Sequence, residues 1–219
     1  MTGDASGAAA RLSAALEASD SSARVRAAMT AGTYPAPAYV PVLVAQCRTE
    51  PDFLVREMLT WALTRHDADQ VIDALLEEVA APAPQARSQA LHTLSKIGGP
   101  RVWAAITTPL LRDPTDEVAR VAWRAAVRTA PEAEKPALAR ILATQFARGE
   151  RDTRRSLSQA FTVLGDSAAA VVDEVAEGGS PYVRAHARIT ARMMAHPEES
   201  FDEADAGSAP AADAAPPPE

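Results

Sequence analysis

Apolar side chains recur every three to four residues along most of this chain, with no strand-like alternation of polar and apolar positions. Val55, Leu59, Ala62, Leu63 and His66 form one such stripe, and Ala90, Leu94 and Ile97 another. Val118, Trp123, Ala126 and Val127 repeat the spacing, as do Leu157, Phe161 and Leu164. Residues so spaced share one side of a helix with 3.6 residues per turn. Each stripe opens on a short phrase built around an arginine, and the phrase occurs six times, anchored on Arg26, Arg56, Arg87, Arg120, Arg154 and Arg184. The anchors stand 30, 31, 33, 34 and 30 residues apart. Such a period implies stacked helical pairs, each of which needs its neighbour to bury its apolar side. The expected fold is an all-α solenoid of about six helical pairs.

Each pair reads as an A helix, a turn and a B helix. The A helices are predicted near 7–18, 36–48, 68–80, 100–112, 132–148 and 167–177, and the B helices near 21–32, 52–66, 84–98, 116–130, 151–165 and 181–195. Asp, Ser or Thr stands near the B-helix starts, where a side-chain oxygen accepts the unpaired N–H groups of the first turn. Gly98-Gly99, Gly149, Gly165 and Gly178-Gly179 follow helix ends, where positive φ closes the last carbonyls. Pro41 and Pro109 fall inside A-helix patterns and are expected to bend them.

Beyond Pro197 the pattern stops. Residues 198–219 are rich in acid, Ala, Pro, Gly and Ser, which is too little apolar surface to offset the entropy of ordering them. The domain reading is therefore a flexible N-terminus over 1–7, the solenoid over 8–196 and a disordered acidic Ala/Pro-rich tail over 197–219. The formal charge of −7 changes meaning with that division. The tail holds seven acids and no base, which leaves 22 acids against 22 Lys and Arg in the rest of the chain. A neutral body has no general attraction for phosphate backbones, so nucleic acid is not an expected partner.

Cys47 is the single cysteine, so no intramolecular disulfide or cysteine-based zinc site can form. The four His residues show neither an HExxH nor a close paired spacing, and no metal or cofactor is expected. No apolar run is long enough for a membrane span, and Met1-Thr2-Gly3-Asp4-Ala5 lacks an export signal, so the expected setting is cytoplasmic.

A polar N-terminal residue, then Val-Arg, then Ala or Leu at helical spacing resembles HEAT repeats, most closely the bacterial HEAT-like class related to phycobilisome lyases. In that class the Arg pairs with an Asp near the turn. Asp52/Arg56 and Asp116/Arg120 match the full pattern, while Pro84/Arg87 and Pro181/Arg184 lack the acid. The segments Glu50–His66 and Gln85–Gly98 are also similar to HEAT arrays that follow the helix-turn-helix of some MerR-type transcription regulators. That kinship implies a sensory or effector array, here with no winged helix-turn-helix ahead of residue 20.

In HEAT arrays the B helices line the concave side. Counting from each anchor Arg, positions +1, +5 and +8 fall on one exposed face: Glu57, Trp61, Thr64; Ser88, His92, Ser95; Val121, Ala125, Arg128; Arg155, Gln159, Thr162. Position +4 adds Thr60, Leu91, Arg124 and Ser158. The candidate binding residues are Glu57, Thr60, Trp61, Thr64, His92, Ser95, Arg124 and Arg128. An exposed Trp can anchor a partner through its area while its N–H bonds outward. The competing reading makes Trp61 and His92 packing residues between B helices. Trp103 and Trp123 are assigned to the core, and His66 to a structural place at a helix end.

No nucleophile elbow, phosphate loop or kinase signature occurs, so no catalytic residue is assigned. The expected function is a non-catalytic interaction or regulatory module that binds a protein or peptide partner. The alternatives are a small-molecule-sensing effector domain of a transcription-regulator system and a HEAT-like lyase or glycosylase-type enzyme subunit.

Overall fold

The computed structural model describes residues 2–208, with side chains from 6 to 206. These residues form α-helices joined by turns and short 3-10 segments, without strands. They divide into two compact units, the first ending at Thr129 and the second beginning at Ala130. The sequence period alone predicts one run over 8–196.

The first unit contains α1 (Thr2–Leu16), α2 (Ser21–Thr33), α3 (Val40–Cys47), α4 (Phe53–Leu63), α5 (Ala68–Glu78), α6 (Pro84–Ile97), α7 (Pro100–Ala105), α8 (Thr108–Leu111) and α9 (Asp116–Thr129). Helices α2, α4, α6 and α9 are the B helices, each packed on the next, and the A helices form the second layer against them. The core lies between the layers: Leu43, Val55, Leu59, Leu63, Leu75, Leu91, Leu94, Val118 and Trp123 are almost fully enclosed. The second unit contains α10 (Lys135–Ala143), α11 (Arg151–Leu164), α12 (Asp166–Glu177), α13 (Pro181–Ala195) and α14 (Phe201–Ser208). Here α11 and α13 are the B helices, and Leu138, Leu142, Leu157, Phe161 and Val172 fill the space between layers. Within each unit the pairs stack as in an α-solenoid.

The two prolines act at helix starts rather than as bends. α3 begins at Val40 with Pro41 in its first turn, after a 3-10 segment over Pro37–Tyr39. The expected 100–112 helix breaks outright into α7 and α8, with Pro109 in the first turn of α8. Proline lacks the N–H that an interior position must donate, so restarting a helix with the ring at its first turn avoids the loss. Trp103, in the last turn of the six-residue α7, is in consequence only half-buried, unlike Trp123.

Both ends also differ from expectation. The helix α1 starts at Thr2, inside the stretch expected to be flexible. Residues 201–208, expected within the disordered tail, form α14, whose Phe201 and Ala204 are buried with Ile189 and Met193. One aromatic and one small residue a turn apart give this acidic segment an apolar edge. The remainder of the expected tail, 209–219, lies outside the described residues. The B helix expected over 52–66 stops at Leu63, and His66, three residues past it, lies with its Nδ1 2.8 Å from the Ala62 carbonyl oxygen. Cys47 is buried, and its thiol is pushed up to about 12 by burial and then by Glu78 and Glu50, which leaves it protonated and unreactive. No described helix is long and apolar enough to cross a membrane.

Candidate functional site

The repeated arginines set the register of the B helices. Arg24 Nη1 donates to the carbonyls of Ala18 and Ser19 at 2.9 and 3.1 Å. Arg56 reaches those of Glu50 and Pro51, Arg87 those of Ala81 and Pro82, and Arg184 that of Gly179. Each of these arginines follows the N-cap of its helix by four residues, the caps being Asp20, Asp52, Ala83 and Ser180. The guanidinium thus folds back over the start of its own helix and pins the turn that precedes it.

Two of the arginines also bind forward to the next repeat. Arg24 forks onto Glu50 through Nε and Nη2 at 2.9 and 2.7 Å, and Arg87 onto Asp113 at 2.9 and 3.2 Å. Planar guanidinium and carboxylate groups match in that geometry. Burial pushes the Glu50 carboxyl up, but hydrogen bonds from Arg24, Gln46 and the Asp52 N–H outweigh it and hold it below its usual range. Asp52 does not serve as the expected acid for Arg56. It caps α4, accepting from the N–H groups of Leu54 and Val55 at 2.8 and 3.1 Å.

This register corrects the anchors at two repeats. The first is Arg24, not Arg26. In the fourth, Ala119 donates its N–H to Thr115 and occupies the place that Arg holds elsewhere. Arg120 is therefore one position further on, turned toward the exposed face. The outward positions of the four B helices, nine residues after each cap, are Met29, Trp61, His92 and Arg124. Val121 and Ala125, expected outward in the fourth repeat, are 8% and 0% exposed.

Of the candidate binding residues, Glu57, His92 and Arg124 come together. They line a groove of about 410 Å³ across α4, α6 and α9, with Phe53, Arg56 and Arg120 beside them. His92 Nε2 lies 2.9 Å from Glu57 Oε1, an ion-pair distance without good hydrogen-bond alignment. Burial pushes the His92 imidazole below its usual range; Glu57 opposes this, and Lys96 and Arg124 add to it. The ring is neutral near pH 7. Arg124 is exposed, while the Arg56 guanidinium lies 5.9 Å from the centre of the Phe53 ring. The groove can pair arginines with carboxylates and lay an apolar side chain on Phe53.

The others are placed elsewhere. Thr60 is buried between α4 and α6, where its hydroxyl lies 3.2 Å from that of Thr93 and accepts from Gln89 at 2.7 Å. Ser95 is buried and donates to the His92 carbonyl, and Thr64 is exposed and donates to that of Trp61. Arg128 is exposed in the last turn of α9, away from the groove lining. Trp61 is 38% exposed. Its inner edge rests on α2, where a Cβ added at Gly32 would stand 2.4 Å from the indole and 2.8 Å from the Ala62 backbone. Gly32→Ala is therefore expected to cost about 1–3 kcal/mol in chemical denaturation, because the backbone contact leaves no room for the methyl. Sequence spacing missed Phe53, Arg56 and Arg120 as groove residues, since it gave Phe53 no face, read both arginines as anchors and set the fourth repeat one residue out of phase.

A family model described as HEAT repeats matches residues 8–81 and 40–128, more than half of the chain. The chain belongs to the HEAT-repeat family. HEAT repeats generally serve as protein-interaction scaffolds and are typically non-enzymatic. The match is to the repeats themselves and lends nothing to a transcription-regulator setting. No curated protein matches the chain. Among solved structures, the crystal structure of an engineered protein aligns with a TM-score of 0.44 at 17% identity, over 85% of this chain and 96% of that one. The HEAT assignment rests on the family match and on the helical pairs described above.

Proposed function

We propose that the first HEAT unit is a non-catalytic interaction module that holds a protein or peptide segment across its B-helix face. The observation that carries this reading is the outward row of Met29, Trp61, His92 and Arg124 beside the Phe53–Arg56–Arg120 groove. Met29, Phe53 and Trp61 are 47%, 68% and 38% exposed on the B-helix side of the unit. Aromatic area beside arginine is the composition of binding hot spots. The polar groups nearby support binding over chemistry: the Ser88 hydroxyl bonds to Glu117, and His92 faces a carboxylate rather than a nucleophile.

Arg124→Glu is the clean test, because this exposed side chain sits on a helix surface away from the core. Proteins retained by the immobilised wild-type chain should be lost or weakened ten- to a hundred-fold by Arg124→Glu, about 1–3 kcal/mol, with an unchanged melting curve. Retention indifferent to this change and to Trp61→Ala would remove the groove from the binding face. The volume of the groove and its arginines favour a second reading, a small anionic ligand. Native mass spectrometry separates the two, since a bound small molecule adds a discrete mass without a protein partner.

A further inference from the structure

The second unit shows what a B-helix face accepts, because one is already occupied. Helix α14 lies against α13 with Phe201 5% exposed and Ala204 fully buried against Ile189 and Met193. The Phe201 ring meets His186 edge-on, with centroids 6.1 Å apart. One acid of α14 and one of the turn before it pair with arginines of the face beneath. Arg192 holds Glu199 through Nε and Nη2 at 2.6 and 3.0 Å, and Arg151 pairs with Asp202. The hydrogen bond from Arg192 holds the Glu199 carboxyl below its usual range. A reciprocal cap, in which Ser200 N–H donates to Glu203 and Glu203 N–H to Ser200 Oγ, starts the helix at 2.7 and 3.3 Å.

The site covered is the B-helix face in its usual register. Ala185 and Ile189 stand five and nine residues after the Ser180 cap, as Ser88 and His92 stand after Ala83 in α6. Nor does α14 fill that face. A cavity of about 190 Å³ remains, lined by Arg151, Arg154, Tyr182, Ala185 and Ile189 with Asp205 of α14 at its edge. Tyr182 is 80% exposed. A helix of eight residues with two buried apolar side chains is held by little area, and its ion pairs are at the surface.

We infer that the α11–α13 face is a docking groove for an acidic amphipathic helix of a partner protein, and that α14 is the chain's own occupant of it. The chemistry of α14 defines the ligand: an aromatic residue to sit against His186 and Ile189, with carboxylates two residues before it and one and four residues after it. A partner helix of greater apolar length covers the remaining cavity and Tyr182 as well, and so replaces α14. The inference concerns the second unit and stands apart from binding at the Arg124 groove.

The test uses the full chain and a fluorescein-labelled peptide of residues 196–207 as probe. Phe201→Ala with Asp202→Asn loosens α14 in the chain. The loosened chain should bind the peptide at least ten-fold more tightly than the parent, by fluorescence anisotropy. Adding Arg151→Glu and Arg192→Glu should reverse that gain, while Arg124→Glu should leave it intact, and a peptide with Ala in place of Phe should not bind. Equal affinity of parent and loosened chain, or binding that ignores the Arg151 and Arg192 reversals, overturns the inference. Circular dichroism of the loosened chain adds an independent arm. Retained helicity is expected, and collapse of the second unit would make α14 an integral cap instead of an occupant.

Discussion

Replacing Trp123 with Ala should destabilise the chain by about 3–5 kcal/mol, the cost of deleting a large buried side chain that its surroundings cannot refill. Trp123 is 1% exposed on α9. Its indole N–H donates to the Leu111 carbonyl at 2.8 Å. Leu111 ends the four-residue α8, where the carbonyls have no partner further along the helix. The ring thus fills the core and closes the C-terminal end of α8. Trp123→Phe separates the two contributions: most of the apolar area stays, and the Leu111 carbonyl loses its donor at about 1–3 kcal/mol. Trp61→Ala provides the contrast, since its exposed ring loses less packing and should cost well under the Trp123 figure. Urea unfolding of the three variants measures all of this. Equal losses for Trp61→Ala and Trp123→Ala would mean that Trp61 is a packing residue, and would weaken its place on the binding face.

The B helices were the most legible part of the chain, for a physical reason. Their ends carry caps and glycines, and their stripes are long enough to fix a period. The observed Ser21–Thr33, Pro84–Ile97, Asp116–Thr129 and Pro181–Ala195 fall within about a residue of expectation. The A helices were less legible because prolines divide them and nothing in a 3.6-residue pattern says whether a proline bends a helix or restarts it. Phase within the B helices was harder still. Arg24 and Arg26 both suit an anchor, and only the carbonyls of Ala18 and Ser19 select the first. In the fourth repeat Ala119 takes the anchor position, so the face shifts by one residue and Arg120 and Arg124 replace Val121 and Ala125. A single step of about 100° exchanges buried for exposed. The outward placement of Trp61 and His92 was legible because the second and third repeats keep their arginine in phase. Helix α14 was hidden for another reason: composition measured the segment as acidic and could not weigh one Phe meeting an apolar strip on α13.

Acidification from neutral pH should weaken the second unit before its carboxylates begin to protonate, and His186 is the cause. This side chain is 3% exposed, between Phe146, Phe201 and the Arg154 backbone. Its Nδ1 accepts the Ala147 N–H at 3.0 Å, so the proton of the neutral ring belongs on Nε2, 3.0 Å from the Arg154 carbonyl and 3.1 Å from the Ser158 hydroxyl. Burial lowers the imidazole to about 4, the Arg154 carbonyl works against that, and the Arg154 charge adds to it. The charged groups at the same cavity are Arg151 and Arg154 from α11 and Asp205 from α14. A second proton would also set Nδ1–H against the Ala147 N–H, whose residue is held at a φ of 66°. The unfolded chain binds that proton near pH 6.5 and the folded chain only near 4, so stability is complete above about pH 6.5 and falls as the pH drops between the two values. The expected loss is about 2 kcal/mol by pH 5 and about 3 kcal/mol in full. His92, also displaced downward, contributes with the same sign. Denaturant midpoints at pH 7, 6 and 5 read the effect directly. His186→Gln lowers stability at pH 7 but removes the His186 share of this slope, and a variant that kept the full slope would place the titrating group elsewhere.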